Sequence, residues 1–233
     1  ALNRLKEMGV KLSGLHLHTS SKTRSINIYR ALARKACELK REFGLELSFI
    51  DIGGGYFGGM DHRPKFPDYT KVIAEELSKE FTVEDTMLIM EPGTSLITPP
   101  IEYLSTVVDI KKTYANNLVI TDGSRIDIDP LHGKKSYFHE FLYKEAENER
   151  ETLEKQVICG FTCMENDRLF TAENEKVLQV GDQISYQKVG GYTMCLTPLF
   201  IRYFPNVYLE ENGRYRLVRE AWTPTEYSQK SML

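Results

Sequence analysis

An α/β half followed by a β half is the fold class the sequence predicts, and two observations predict it. Up to about residue 100, short apolar runs alternate with stretches of helical spacing. Beyond Pro99 and Pro100 the runs are short, rich in Val, Ile, Tyr and Thr, and separated by turn residues. Alternating strands and helices imply right-handed crossovers and a parallel sheet, whereas closely spaced short strands imply an all-β unit. The expected domains are therefore 1–100 and 101–233.

Each element has a local reason. Leu12 to His18 is a short apolar run next to Gly14 and reads as a strand. From Ser25 to Phe43 the residues Ile26, Tyr29, Leu32, Ala33, Ala36, Cys37 and Phe43 recur near helical spacing, and Gly44 stands where a C-terminal cap belongs. Leu45 to Ile52 reads as a strand buried on both faces, and Asp68 as the N-cap of a helix carrying Val72, Ile73, Leu77 and Phe81. Met87 to Met90 is a third strand, stopped by Pro92. In the second half the expected strands are Glu102 to Thr113, Leu118 to Thr121, Gln156 to Phe161, Gln183 to Lys188 and Tyr208 to Val218. Asp122-Gly123 and Asn212-Gly213 are the turn signals, and the acidic stretch Glu145 to Glu154 reads as a solvated helix or loop.

Composition narrows the function classes. With 233 residues, 41% hydrophobic and 27% charged, the chain can bury a core. Its net charge of -3 is spread without a basic stripe, which argues against a nucleic-acid partner. No apolar run approaches the roughly 18 residues of a spanning helix, and no leader is evident at the start, so a cytoplasmic enzyme is expected. The four cysteines include no CxxC pair and are expected to be free thiols.

Four stretches carry the chemistry: GLHLHTSS at 14–21, FIDIGGGYFGG at 49–59, MEPGTSLI at 90–97, and CGFTCMENDRL at 159–169 with VGGYT after it. Gly53, Gly54 and Gly55 follow a buried strand, where missing Cβ atoms let backbone N–H groups turn toward a phosphate. Gly53, Gly55 and Gly58 also satisfy GxGxxG. A dinucleotide site needs that turn to open into a helix, which Met60 to Pro67 cannot form. His16 and His18 lie two apart on a strand and share a face, a geometry that suits metal ligation. Such a site needs further ligands on later strand ends; His62, His132 and His139 fall elsewhere, so no metal is expected. Glu91 ends an apolar strand, where active sites of parallel α/β folds gather, and a carboxylate there can pair with a pyridine nitrogen.

In this order and with these residues the chain resembles the fold-type III pyridoxal-phosphate decarboxylases, the group of ornithine, arginine and diaminopimelate decarboxylases whose fold also occurs in alanine racemase. The likeness runs from Gly14 to about Thr193. It implies a partial parallel β/α barrel of the TIM type over 1–100. A mainly antiparallel β domain follows over 101–233 and contributes a loop to the partner's site in a head-to-tail homodimer. The resemblance further implies pyridoxal 5'-phosphate as cofactor, with His18 stacked on its ring, Ser21 and the amides of Gly53 to Gly55 at the phosphate, Glu91 at the ring nitrogen and Tyr192 at the phosphate. Cys163, Asp167 and Leu169 match the later C-x-x-x-D-x-L signature, whose cysteine controls protonation; Met164 and Glu165 beside it are the expected substrate contacts. Two positions depart from the pattern. Thr94 stands where the family's phosphate-contacting arginine belongs, and Met164 where an acidic residue reads the far amino group of a diamino acid. The implied activity is decarboxylation of an amino acid, a diamino acid or a derivative, with a racemase or other lyase, or a silent regulatory homologue, as alternatives. Only about three strand–helix units precede Pro99, against eight in a complete barrel. The chain therefore reads as a fragment, inactive alone, whose cofactor-holding lysine lies upstream.

Overall fold

The computed structural model describes residues 1–19, 22–145 and 149–231. The chain forms two compact units, Ala1–Ile101 and Glu102–Leu233.

In the first unit, α1 (Leu2–Glu7) precedes β1 (Gly14–His16), α2 (Ile26–Phe43), β2 (Phe49–Gly54), α3 (Phe66–Leu77), β3 (Met87–Glu91) and α4 (Gly93–Ile97). The strands pair in parallel in the sequential order β1-β2-β3. That order is the one a β/α barrel repeats, without the reversal of a doubly wound sheet. Helix α2 is capped as its sequence predicts: Ser25 Oγ accepts from Asn27 N at 3.3 Å, and Gly44 takes the left-handed conformation at φ 62°. Its buried stripe, Tyr29, Ala33, Ala36 and Cys37, packs with Ile50 and Ile52 of β2 and with Tyr69, Ile73 and Leu77 of α3. The start of α3 differs from expectation. The N-cap is Lys65, whose N–H donates to Asp68 Oδ2 at 2.8 Å, so Asp68 caps from inside the first turn.

Strand register decides what faces where. Leu15, Ile50 and Leu88 are aligned across the sheet, as are His16, Asp51 and Ile89 one residue later. Alternation along each strand therefore turns Leu15 and Ile50 to the helices and His16 and Asp51 to the opposite face. Two residues lie between Asp51 and Gly54, but only one between their partners Ile89 and Glu91. The extra residue on β2 is a bulge, and Gly53 inside it takes φ 69°. The bulge sets Gly54 beside Glu91.

The second unit holds β4 (Tyr103–Lys112), β5 (Asn117–Thr121), α5 (Arg125–Ile128), β6 (Phe138–Leu142), β7 (Thr152–Cys159), β8 (Arg168–Lys176), β9 (Gln183–Gln187), β10 (Val207–Glu211), β11 (Arg214–Arg219) and α6 (Pro224–Tyr227). Six strands form one sheet in the order β6-β9-β4-β5-β7-β8, and β10-β11 is a separate hairpin. All pairings are antiparallel except β5 with β7, whose connection is long enough for a parallel crossover. Val107, Val119, Ile158, Leu169, Ile184 and Tyr186 form its core. The Asn212-Gly213 turn is as expected, with both residues at positive φ. Asp122-Gly123 does not close a hairpin; it leads into Ser124, the N-cap of α5.

Candidate functional site

The C-terminal ends of β1, β2 and β3 bring three of the four chemical stretches together. A Cβ built on Gly53 would lie 2.6 Å from His18 Nδ1, so the imidazole rests directly on the glycine backbone. A Cβ on Gly54 would lie 2.2 Å from the Glu91 carbonyl oxygen. The glycines are thus required by close approach on two sides. Their carbonyls are held from beneath: Tyr56 Oη donates to Gly53 O and Tyr29 Oη to Gly54 O, each at 2.7 Å. In a trans peptide the N–H points opposite to the C=O. The N–H of Gly54 therefore points away from the Tyr56 hydroxyl. Tyr29, Tyr56 and Tyr69 pack ring to ring at 4.8 to 5.1 Å, and burial keeps their hydroxyls protonated donors. Burial, helped by the Tyr69 phenol, pushes Tyr29 up to about 12, and burial raises Tyr56 as well.

The polar face above this cradle carries more than the sequence reading named. Asp51 Oδ1 accepts from Gly53 N at 2.8 Å, which pins the bulge. His16 Nε2 lies 3.7 Å from Glu91 Oε2, and ligand atoms of His16, Asp51 and Glu91 all fall within 4.8 Å of one another. Asp51 and Glu91, on the two later strands, thus lie within reach of His16. Asp51 was overlooked: the acid inside the apolar run FIDIGGG is visible in the sequence, but its register with His16 is not. Ser21 lies outside the described residues. Thr94 is half-buried in α4, next to Ser95, whose backbone blocks any side chain on Gly58. An open cleft beyond the glycines is lined by Phe57, Gly58, Asp61, Lys65, Phe66 and Ser95.

In the second unit the signature residues divide by burial. Cys163 and Met164 are exposed at the tip of the loop between β7 and β8, with Glu165 beside them, whereas Asp167 and Leu169 are buried at 5% each. Asp167 organises the loop. Its Oδ1 accepts from Ser124 Oγ and Arg125 N at 2.8 Å, and its Oδ2 from Thr162 Oγ1 at 2.6 Å and Thr162 N at 3.0 Å. The tip bearing Cys163 is thereby tied to the start of α5. Asp129 is saturated inside the unit, accepting from Gly133 N, Lys134 N, Tyr137 Oη and Arg125, and Asp127 accepts from Tyr103 Oη at 3.0 Å. Tyr192 is 52% exposed and sits at φ 65°, directly after Gly190 and Gly191.

Parallel strand–helix units with a polar, glycine-floored end, joined in the chain to a mainly antiparallel domain, define the class as a β/α-barrel protein with a β domain. Residues 1–98 match the family model described as the pyridoxal binding domain of the pyridoxal-dependent decarboxylases. An ornithine decarboxylase of Caenorhabditis elegans is 24% identical over 95% of this chain and 54% of its own length. A diaminopimelate decarboxylase of Archaeoglobus fulgidus is 28% identical over 83% and 47%. The solved diaminopimelate decarboxylase of M. jannaschi superposes with a TM-score of 0.78 at 25% identity, covering 99% of this chain and 55% of that one. The resemblance to the fold-type III pyridoxal-phosphate decarboxylases is borne out, and the family implies pyridoxal phosphate as cofactor. The chain spans about half the length of the curated relatives it matches.

Proposed function

We propose that the protein to which this chain belongs decarboxylates an amino acid, a diamino acid or a derivative of one, with pyridoxal 5'-phosphate bound at the ends of β1, β2 and β3. One observation carries the reading: the His18 ring, the Gly53–Gly54 backbone and the Glu91 strand end meet at a floor where any Cβ on Gly53 or Gly54 would collide. A flat ring with an anionic tail suits that floor. His18 would stack on one face of the ring. The Gly53–Gly55 turn would receive the phosphate, joined by Ser21 and Tyr192. Glu91 would hold a proton on the ring nitrogen, and the protonated ring supplies an electron sink when bound. Cys163, on a loop fixed by Asp167, would reach the partner's site in a head-to-tail homodimer and govern reprotonation. Met164 and Glu165 would line the distal end of the substrate. With Met164 exposed at 44% and apolar, Glu165 is the carboxylate offered to a distal ammonium. We place the protein in the cytoplasm; no helix among the described residues is long and apolar enough to cross a membrane.

The test uses the full-length protein. Addition of pyridoxal phosphate should produce a visible absorption band that borohydride fixes covalently to a lysine, and carbon dioxide should be released from ornithine, lysine or diaminopimelate. A protein that takes up no pyridoxal phosphate defeats the reading. One that binds it and racemises an amino acid without carbon dioxide release redirects it to a racemase.

A further inference from the structure

His16, Asp51 and Glu91 come from three adjacent parallel strands and converge at one level of the polar face. His16 and Asp51 are direct register partners, and Glu91 lies two residues beyond Ile89, the register partner of Asp51. A ligand atom from each falls within 4.8 Å of the others. The His16 Nε2 to Glu91 Oε2 separation of 3.7 Å is longer than a hydrogen bond. Two donors each about 2.1 Å from a tetrahedral zinc ion lie roughly 3.4 Å apart, close to that spacing. Asp51 Oδ1 receives the Gly53 N–H, which orients the carboxylate and leaves its second oxygen for a ligand. The side chains of His16 and Glu91 are each 57% exposed, so an ion and its waters can enter. One imidazole and two carboxylates with open positions form a donor set of borderline hardness, which suits zinc better than calcium or magnesium.

We propose that His16, Asp51 and Glu91 bind one zinc ion, with water completing its coordination, and that zinc and a pyridine ring exclude one another because both require Glu91. The zinc site goes beyond the proposed function; the exclusion alone rests on it. His18 takes no part, since its ring lies on Gly53.

The site is tested by titrating the full-length protein with zinc against a chromophoric chelator, and by recording the visible spectrum with cobalt in place of zinc. One zinc per chain is expected, with affinity falling tenfold or more in His16→Ala, Asp51→Asn and the shape-conserving Glu91→Gln, and unchanged in His62→Ala, which alters an exposed loop histidine. Circular dichroism verifies that each variant is folded. Absence of binding, or affinity retained in Asp51→Asn or Glu91→Gln, overturns the site. Pyridoxal phosphate should raise the apparent zinc dissociation constant in proportion to its concentration. If it binds, by its own absorption change, without moving zinc affinity, the exclusion is overturned. If it gives no absorption change while zinc still binds, the cofactor reading fails and the zinc site stands.

Discussion

Gly54 shows how two kinds of glycine requirement separate at the level of single residues. Its φ is not in the left-handed region, so an alanine there suffers no backbone penalty; the obstacle is the Glu91 carbonyl 2.2 Å from the new Cβ, a backbone atom that cannot swing aside. Gly44 is the reverse case, at φ 62° with nothing within 4 Å of its Cβ position. Gly54→Ala is expected to destabilise the fold by about 1–3 kcal/mol, as forced overpacking does. It should also weaken pyridoxal phosphate binding, because β2 and β3 must spread where the amides and Glu91 meet. Gly44→Ala should cost on the order of 1 kcal/mol and leave binding unchanged. Urea midpoints together with absorption titrations check both. Tyr29→Phe belongs with Gly54→Ala: it strands the buried Gly54 carbonyl at a cost of about 1–3 kcal/mol and frees the peptide whose orientation the hydroxyl fixes.

At the scale of elements, the loop from Gly160 to Asp167 depends on one carboxylate. Asp167 accepts from four donors on two segments, and an asparagine offers one acceptor oxygen and an NH2 group that would confront two of those donors. Asp167→Asn should therefore lower stability by about 1–3 kcal/mol and speed amide hydrogen exchange across 160–167, leaving exchange in β5 unaltered. If exchange in the loop does not change, the carboxylate is not what orders it. The same loop marks the limit of what could be read from the sequence. Helix α2 was legible to its caps because Ser25, the apolar stripe and Gly44 all act within one stretch of chain. Strand β8 was not legible: only Leu169 and Ala172 of Arg168–Lys176 are buried, three residues apart and out of strand alternation, and the charged Arg168, Glu173, Glu175 and Lys176 flank them. Phe138–Leu142 was missed for a related reason, with four of five residues exposed. In the candidate site, His18, the glycines and Glu91 were legible as motifs. Asp51 and the supporting tyrosines were not, because their roles come from strand register and from helix packing across the sheet, which no local pattern encodes.

For the molecule as a whole, each unit contains a buried carboxylate held below its usual titration range, and acid should expose both. In the first unit, hydrogen bonds from Arg34 at 2.9 Å and Lys79 at 2.6 Å pull Glu76 from an ordinary 4.5 down to about 2. In the second, burial opposes the charge on Asp182, but hydrogen bonds from Arg150, Lys144 N and Gln179 N and the charge of Arg150 outweigh it and leave the carboxyl below its ordinary value. A carboxyl with a folded value below its unfolded one stabilises the fold fully above the unfolded value, and that stabilisation disappears as pH falls through the folded one. Unfolding free energy should thus be flat above about pH 5 and decline from there toward pH 2 as the unfolded carboxyls take up protons that the folded ones refuse. Asp127 works in the opposite sense: burial raises its carboxyl, so acid relieves rather than removes a contribution there. Glu76→Gln should flatten the decline measured by urea melts between pH 4.5 and 2. Asp182→Ala, which leaves Arg150 buried at 6% exposure without its partner, should cost about 3–5 kcal/mol already at neutral pH. A wild-type stability unchanged down to pH 2 would mean that neither ion pair survives in solution, and with Glu76 unpaired the contact between α2 and α3 would rest on its apolar stripe and the Cys37 thiol bonded to the Glu76 carbonyl.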